Sequence, residues 1–183
     1  MLKTIKSNFI IKTIFKNIHN KIKLKIIKYN KYMLGRLDIK TENFKNYELL
    51  KEFNELLKLN IIDIDIKKLN LNRKDIGNKE LELLKNLDFG ALERLYLGGN
   101  KISDIKVLAN VNFKELKELY LSWNQISDIN VLENVNFKGL EKLYISRNQI
   151  SDIKVLENVN FKELIDLSHN QISEDEMLLI EKN

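Results

Sequence analysis

From residue 92 onward, apolar positions return in a fixed order that neither a helical nor a strand period alone explains. The stretches LERLYLGGNKISDIKVLANVNFKE (92–115), LKELYLSWNQISDINVLENVNFKG (116–139) and LEKLYISRNQISDIKVLENVNFKE (140–163) superpose without a gap, so the chain repeats every two dozen positions. Asn100, Asn124 and Asn148 fall in register. A shortened unit occupies 164–183, with Asn170 two positions earlier than the repeat would place it. Upstream, Ile66, Leu69, Leu71 and Ile76 fit the same frame, with Lys74 in place of the asparagine and a step to Asn100 that is two positions longer than the repeat. Units are therefore expected near 66–91, 92–115, 116–139, 140–163 and 164–183.

Each unit reads as one coil. Leu119 and Leu121 alternate as a strand requires, which puts Tyr120 on the opposite face. Asn124 then turns the chain. Ser127 and Asp128 suit the start of a short turn or helix, after which Ile129, Leu132, Val135 and Phe137 point back inward. No coil can bury its apolar face alone, so neighbours must stack. The expected fold is an α/β solenoid: a curved parallel β-sheet with short helices or turns on the convex side.

Leu116, Leu119, Leu121, Asn124 and Ile126 match the pattern L-x-x-L-x-L-x-x-N-x-L position by position, and in this the chain resembles the leucine-rich-repeat family. The continuation from Asn124 to Leu132 is most similar to the repeats of internalins and of phosphatase-regulatory leucine-rich proteins. That resemblance, over residues 66–183, implies a buried asparagine ladder (Asn100, Asn124, Asn148, Asn170) whose amides satisfy backbone groups of adjacent coils.

Both ends of such a stack need covers. Ser173-Glu-Asp-Glu176 reads as a capping box opening a terminal helix with Met177, Leu178 and Ile180. Tyr47, Leu50, Phe53 and Leu57 recur at helical spacing, and Ile62, Ile64 and Ile66 then alternate as a strand. Residues 41–65 are accordingly expected to be an N-terminal cap. Ahead of them, Phe9, Ile11, Ile14, Phe15, Ile18 and Ile22, then Ile26, Ile27, Tyr29, Met33, Leu34 and Leu37, predict a helical module over residues 1–40.

Charge changes the picture of that module. Residues 1–40 hold ten lysines and Arg36 against Asp38, whereas the chain of 183 residues nets only +5. Such a basic segment could pack on the repeats, dock a larger assembly, or lie on anionic lipid. Short apolar helices before leucine-rich repeats are weakly similar to F-box-like adaptors that dock a ubiquitin ligase, although no residue match carries it. Lys, Asn and Ile are all abundant along the whole chain, so lysine abundance alone does not argue for nucleic acid, which is not expected as a partner. Met1–Asn30 contains neither an unbroken apolar run nor a small-residue cleavage site, so a cytoplasmic location is expected.

The side chains between the core leucines form five columns across the stacked strands. In the first two, Glu93, Lys117, Glu141 and Arg94, Glu118, Lys142, signs alternate; opposite charges about 4.8 Å apart fix register rather than create a field. The third, Asn70, Tyr96, Tyr120, Tyr144, Asp166, is either an aromatic ladder or a binding platform. The fourth, Asn72, Gly98, Ser122, Ser146, Ser168, is small. The fifth, Arg73, Gly99, Trp123, Arg147, His169, varies most; residues 116–139 and 140–163 differ at six positions, Trp123 against Arg147 being the least conservative outside the charge columns. Trp, Tyr and Arg dominate binding hot spots. Tyr96, Tyr120, Trp123, Tyr144, Arg147 and His169 are thus the candidate partner-binding residues, with Trp123, Tyr120, Tyr144 and Arg147 at the centre.

No chemistry competes with this reading. The chain has no Cys and only two His, His19 and His169, so disulfides, thiolate sites and a histidine metal site are not expected. Phosphate-binding glycine motifs are missing, and Gly98-Gly99 belongs to the repeat. Asp63 and Asp65 alternate with isoleucine as the solvent side of a strand. No cofactor, no metal and no enzymatic activity are expected. The residues point instead to a monomeric protein-interaction module that binds a protein on its concave face. The alternative is an adaptor that recruits substrates while residues 1–40 dock elsewhere.

Overall fold

Leucines at strand spacing and asparagines at the turns produce a strand of only three residues in each coil. The computed structural model describes residues 41–59, 61, 65–135, 139–158 and 164–180. The chain divides into two compact units between Asp63 and Ile64.

In the first unit, α1 (Thr41–Leu57) forms over the expected 3.6-residue spacing, with Leu50, Phe53 and Leu57 buried and Leu56 exposed. The helix stops where Lys58 enters the left-handed region at φ 50°. The Leu59 N–H then closes onto the Asn54 carbonyl at 2.9 Å, satisfying an orphan carbonyl of the last turn. The Asn54 side chain fastens the exit by both donating to the Ile61 carbonyl and accepting its N–H, each at 2.8 Å. The helical module expected at 1–40 and the strand positions Ile62 and Ile64, with Asp63 between them, lie outside the described residues.

In the second unit, β1 (Lys68–Asn70), β2 (Arg94–Tyr96), β3 (Glu118–Tyr120), β4 (Lys142–Tyr144) and β5 (Leu164–Asp166) form an open parallel sheet in the order β1-β2-β3-β4-β5. Register is repeat on repeat: Tyr96 pairs with Tyr120, Tyr120 with Tyr144, and Asn70 and Asp166 close the same row. The strands open at Lys68, Arg94, Glu118, Lys142 and Leu164, which keeps the long first step and the short last one of the repeats. In each of β2 to β4 the central leucine is fully buried and its two neighbours are half-buried on the other face.

The returning limb of each coil is a 3-10 turn, at Glu82–Asn86, Lys106–Asn110, Asn130–Asn134 and Lys154–Asn158; in the first coil it is preceded by α2 (Asn78–Leu81). Its first free N–H is held by an aspartate two residues earlier: Asp104, Asp128 and Asp152 accept from Lys106, Asn130 and Lys154 at 2.8, 2.9 and 3.0 Å. The aspartate takes this part, and the serine expected beside it does not. Ile129 and Leu132 are buried as expected, whereas Val135 is only half-buried. Phe137 lies outside the described residues, but its counterparts Phe89 and Phe113 have no exposed surface. Removing one such phenylalanine would cost ~3–5 kcal/mol, because interiors this dense do not collapse around the void.

The last coil ends in α3 (Glu174–Ile180). The Ser173 hydroxyl accepts the Glu176 N–H at 3.3 Å, while the Glu176 carboxylate returns to that hydroxyl at 3.2 Å instead of reaching the Ser173 backbone. The box is thus closed through the side chain. Leu178, expected to cover the core, is half exposed at 49%. Among the described residues, no helix is long and apolar enough to cross a membrane.

Candidate functional site

The asparagines position everything on the sheet face. Asn124 donates to the carbonyls of Leu97 and Leu121 at 3.0 and 2.9 Å and accepts the Ile102 N–H at 3.1 Å. Asn148 repeats this toward Leu121, Ile145 and Ile126, and Asn170 toward Ile145, Leu167 and Ile150. Asn100 does the same toward Leu71 and Leu97 while accepting the N–H groups of both Lys74 and Ile76. The first coil, which carries Lys74 in the asparagine position, is therefore satisfied from its neighbour. In every case one amide bonds its own coil and the one before.

Above this ladder the charge columns pair across strands. Lys67 meets Glu93 at 2.6 Å and holds its carboxyl below the ordinary value. Arg94 meets Glu118 at 3.1 Å. Burial pushes the Glu118 carboxyl up, but hydrogen bonds from Tyr120 and Arg94 outweigh it, and the net shift is downward.

The tyrosines form a stacked ladder. Tyr96 and Tyr120 have ring centroids 4.4 Å apart at 15°, and Tyr120 and Tyr144 stand 4.4 Å apart at 5°. Lys68 caps the Tyr96 ring at 5.9 Å. The Tyr120 hydroxyl donates to Glu118 Oε2 at 2.8 Å. Burial first, and then that bond, raise the phenol well above its ordinary value. At the end of the row, burial of Asp166 is outweighed by hydrogen bonds from Ser168 and Ser146, leaving its carboxyl below the ordinary value. The Ser146 and Ser122 hydroxyls, 3.0 Å apart, continue the chain into the small column.

The fifth column has a property that periodicity alone does not give. Arg73, Gly99, Trp123, Arg147 and His169 all adopt left-handed backbone, with φ between 53° and 68°. This is the turn that lets each N–H continue the inter-strand ladder, as Trp123 does onto the Ser146 carbonyl at 3.0 Å. Gly99 is the signal that could have revealed it, since glycine alone takes this conformation without strain. The turn throws the side chain outward: Trp123 is 61% exposed. Its ring partner among the described residues is Arg147, with the guanidinium carbon 4.3 Å from the ring centroid, and not Tyr120 or Tyr144. Arg147 in turn lies 3.4 Å from His169 Nε2. The six candidate residues thus form two parallel rows, a half-buried one of tyrosines and an exposed one of Trp123, Arg147 and His169. Beside Trp123 an open concavity of about 530 Å³ is lined by Asn72, Arg73, Gly98, Gly99, Tyr120 and Ser122.

Among the described residues no group of carboxylates and histidines is placed to hold a metal ion.

The model of the leucine-rich repeats, two copies, matches the chain at 90–134 and again at 114–158. An internalin (inlF) of Listeria monocytogenes is 32% identical over 64% of this chain, with a TM-score of 0.50. The chain spans 38% of the length of that internalin. A leucine-rich-repeat protein of Leptospira interrogans is 24% identical, the match covering 72% of this chain and 43% of that one, with a TM-score of 0.42. No curated protein matches the chain. Residues 90–158 thus carry leucine-rich repeats, folded as part of an open α/β solenoid.

Proposed function

We propose that this chain is a non-enzymatic protein-interaction module that binds a protein partner on the concave face of its sheet. The observation that carries the proposal is Trp123, a large apolar ring held 61% exposed in a strained backbone conformation beside an open concavity. Exposed tryptophan flanked by tyrosine and arginine is the composition of a binding hot spot. Among the described residues its ring partner is Arg147, which is itself exposed. Trp123, Tyr120, Tyr144 and Arg147 form the centre of contact, with Tyr96 and His169 at its two ends. The asparagine ladder serves this site by fixing the strands that carry it.

Site-specific photo-crosslinking tests the reading. A photoreactive residue at Ser122 on the sheet face should capture protein partners that one at Ser127 on the opposite limb does not. Trp123→Ala should abolish those adducts. Equal capture from Ser127, or adducts indifferent to Trp123→Ala, would overturn the proposal. The adaptor reading rests on residues 1–40, which lie outside the described residues, and no observation favours it.

A further inference from the structure

The side chains of the fifth column stack at the spacing of the coils, and one rung is missing. Arg147 lies on one face of Trp123 at 4.3 Å. On the side away from Arg147 the neighbouring coil carries Gly99 at this position, which has no side chain. Beyond it stands Arg73, whose Cγ would be only 3.0 Å from a Cβ at Gly99. Arg73, Gly98, Gly99, Tyr120 and Trp123 together line the concavity. Two strand spacings, about 9–10 Å, separate the backbones that carry Arg73 and Trp123, and the Arg73 side chain leans from its own coil toward Gly99. The concavity, about 530 Å³, is bounded by the indole on one side and by Arg73 on the other.

From this we infer that the partner supplies the missing rung: an aromatic side chain inserts at the level of Gly99, between Trp123 and Arg73, from a peptide segment bearing carboxylates on either side of it. The inference rests on the proposed binding face and names what that face recognises. The aromatic character follows from the two walls, an indole face and a guanidinium, both of which stack on a ring. The acidic flanks follow from charge. Glu93 is engaged by Lys67, Glu118 by Arg94 and Asp75 by Lys101, the last at 2.6 Å. Among the described residues no carboxylate pairs with Arg73 or Arg147. Two exposed guanidinium groups therefore bracket the slot with their charge uncompensated. A bidentate carboxylate is the group that matches a guanidinium fork.

The test is selection of random peptides displayed against the full chain, followed by titration of the selected peptides against variants. Trp123, the only tryptophan, reports occupancy by fluorescence when the peptide aromatic is Phe or Tyr. Selected peptides should carry an aromatic residue with Asp or Glu close to it. They should bind Gly99→Asn about tenfold or more weakly, because asparagine tolerates left-handed backbone while its side chain fills the slot. Arg73→Gln, at an exposed position, keeps the test decisive should Gly99→Asn fail to fold: it should weaken the acidic peptides several-fold and flatten their salt dependence. Peptides that need Trp123 but bind both variants as well as the natural chain would overturn the slot and leave the binding face standing. Peptides indifferent to Trp123→Ala would overturn both. Tighter binding of a single-stranded oligonucleotide, or self-association, blocked by Gly99→Asn would overturn the peptide assignment by naming a different occupant.

Discussion

Replacing Asn124 by alanine removes three hydrogen bonds at once, yet it does not orphan three groups. The Leu97 carbonyl keeps its bond from Asn100 at 2.8 Å, and the Leu121 carbonyl keeps its bond from Asn148 at 3.0 Å. Only the buried Ile102 N–H, which donates to Asn124 Oδ1, is left with nothing to replace it. Two ordinary hydrogen bonds at ~0.5–1.5 kcal/mol each and one stranded buried donor at ~1–3 kcal/mol give an expected loss of about 2–6 kcal/mol. With a urea slope of ~2 kcal/mol per molar, the midpoint should fall by roughly 1–3 M at unchanged slope. Asn170→Ala makes a control. Its amide has the same three kinds of partner but sits only half-buried in the last coil, where water can replace what is lost, so its cost should be the smaller. Circular dichroism followed through a urea titration reads both. A shift for Asn124→Ala worth less than ~1 kcal/mol, or one no larger than that of Asn170→Ala, would refute the assignment of the ladder as the element that ties coil to coil.

Other expectations come from the same geometry. Trp123→Gly should be more stable than Trp123→Ala by about 1 kcal/mol, or roughly 2–4 °C in Tm, since both lose the ring but only glycine relaxes the left-handed backbone; equal thermal midpoints would mean that the turn is not strained. Acid should destabilise the sheet through Glu118 and Asp166. Their carboxyls lie below ordinary values of 4.5 and 3.8 when folded, so their stabilisation is present above those values and is lost as pH falls through and below them. Tm measured from pH 6 to pH 3 should therefore fall less steeply in Glu118→Gln. At the alkaline end the raised Tyr120 phenol implies stability that is intact below its ordinary value of 10.0 and drains away above it. Absorbance at the phenolate band should show one tyrosine ionising late, and Tyr120→Phe should remove that lag.

The parts of the fold that rest on periodicity were legible in the residues. Strand positions, their register, the burial of Leu95, Leu119 and Leu143, and the opposition of Arg94 to Glu118 follow from apolar spacing that only one stacking can satisfy. What escaped was local backbone geometry. The left-handed turn is taken by arginine and tryptophan, which carry no preference for it, so only Gly99 and His169 hinted at it. The choice of aspartate over serine as the cap of the 3-10 turn escaped for a similar reason, because both residue types can serve and geometry alone chooses. The composition of the site was readable, but its division into a half-buried tyrosine row and an exposed tryptophan row was not. It depends on where the chain turns after the strand, which side-chain identity does not encode.

The direction of the asparagine bonds bears on how such a protein can change in length. Because each amide spans its own coil and the preceding one, a second copy of a unit such as 116–139 would bring its own fastener and find an identical socket waiting. An in-frame duplication would broaden the sheet by one strand, about 4.8 Å, with no compensating change elsewhere. Deletion at either end strips backbone donors of their acceptors: loss of the final coil takes the one that Asn170 provides to the Ile150 N–H, and loss of the first takes the Lys67 and Ile76 carbonyls that accept from Glu93, Arg94 and Lys101, along with the backward partners of Asn100. Growth by copying is thus built into the wiring, whereas shortening at either end leaves donors without acceptors.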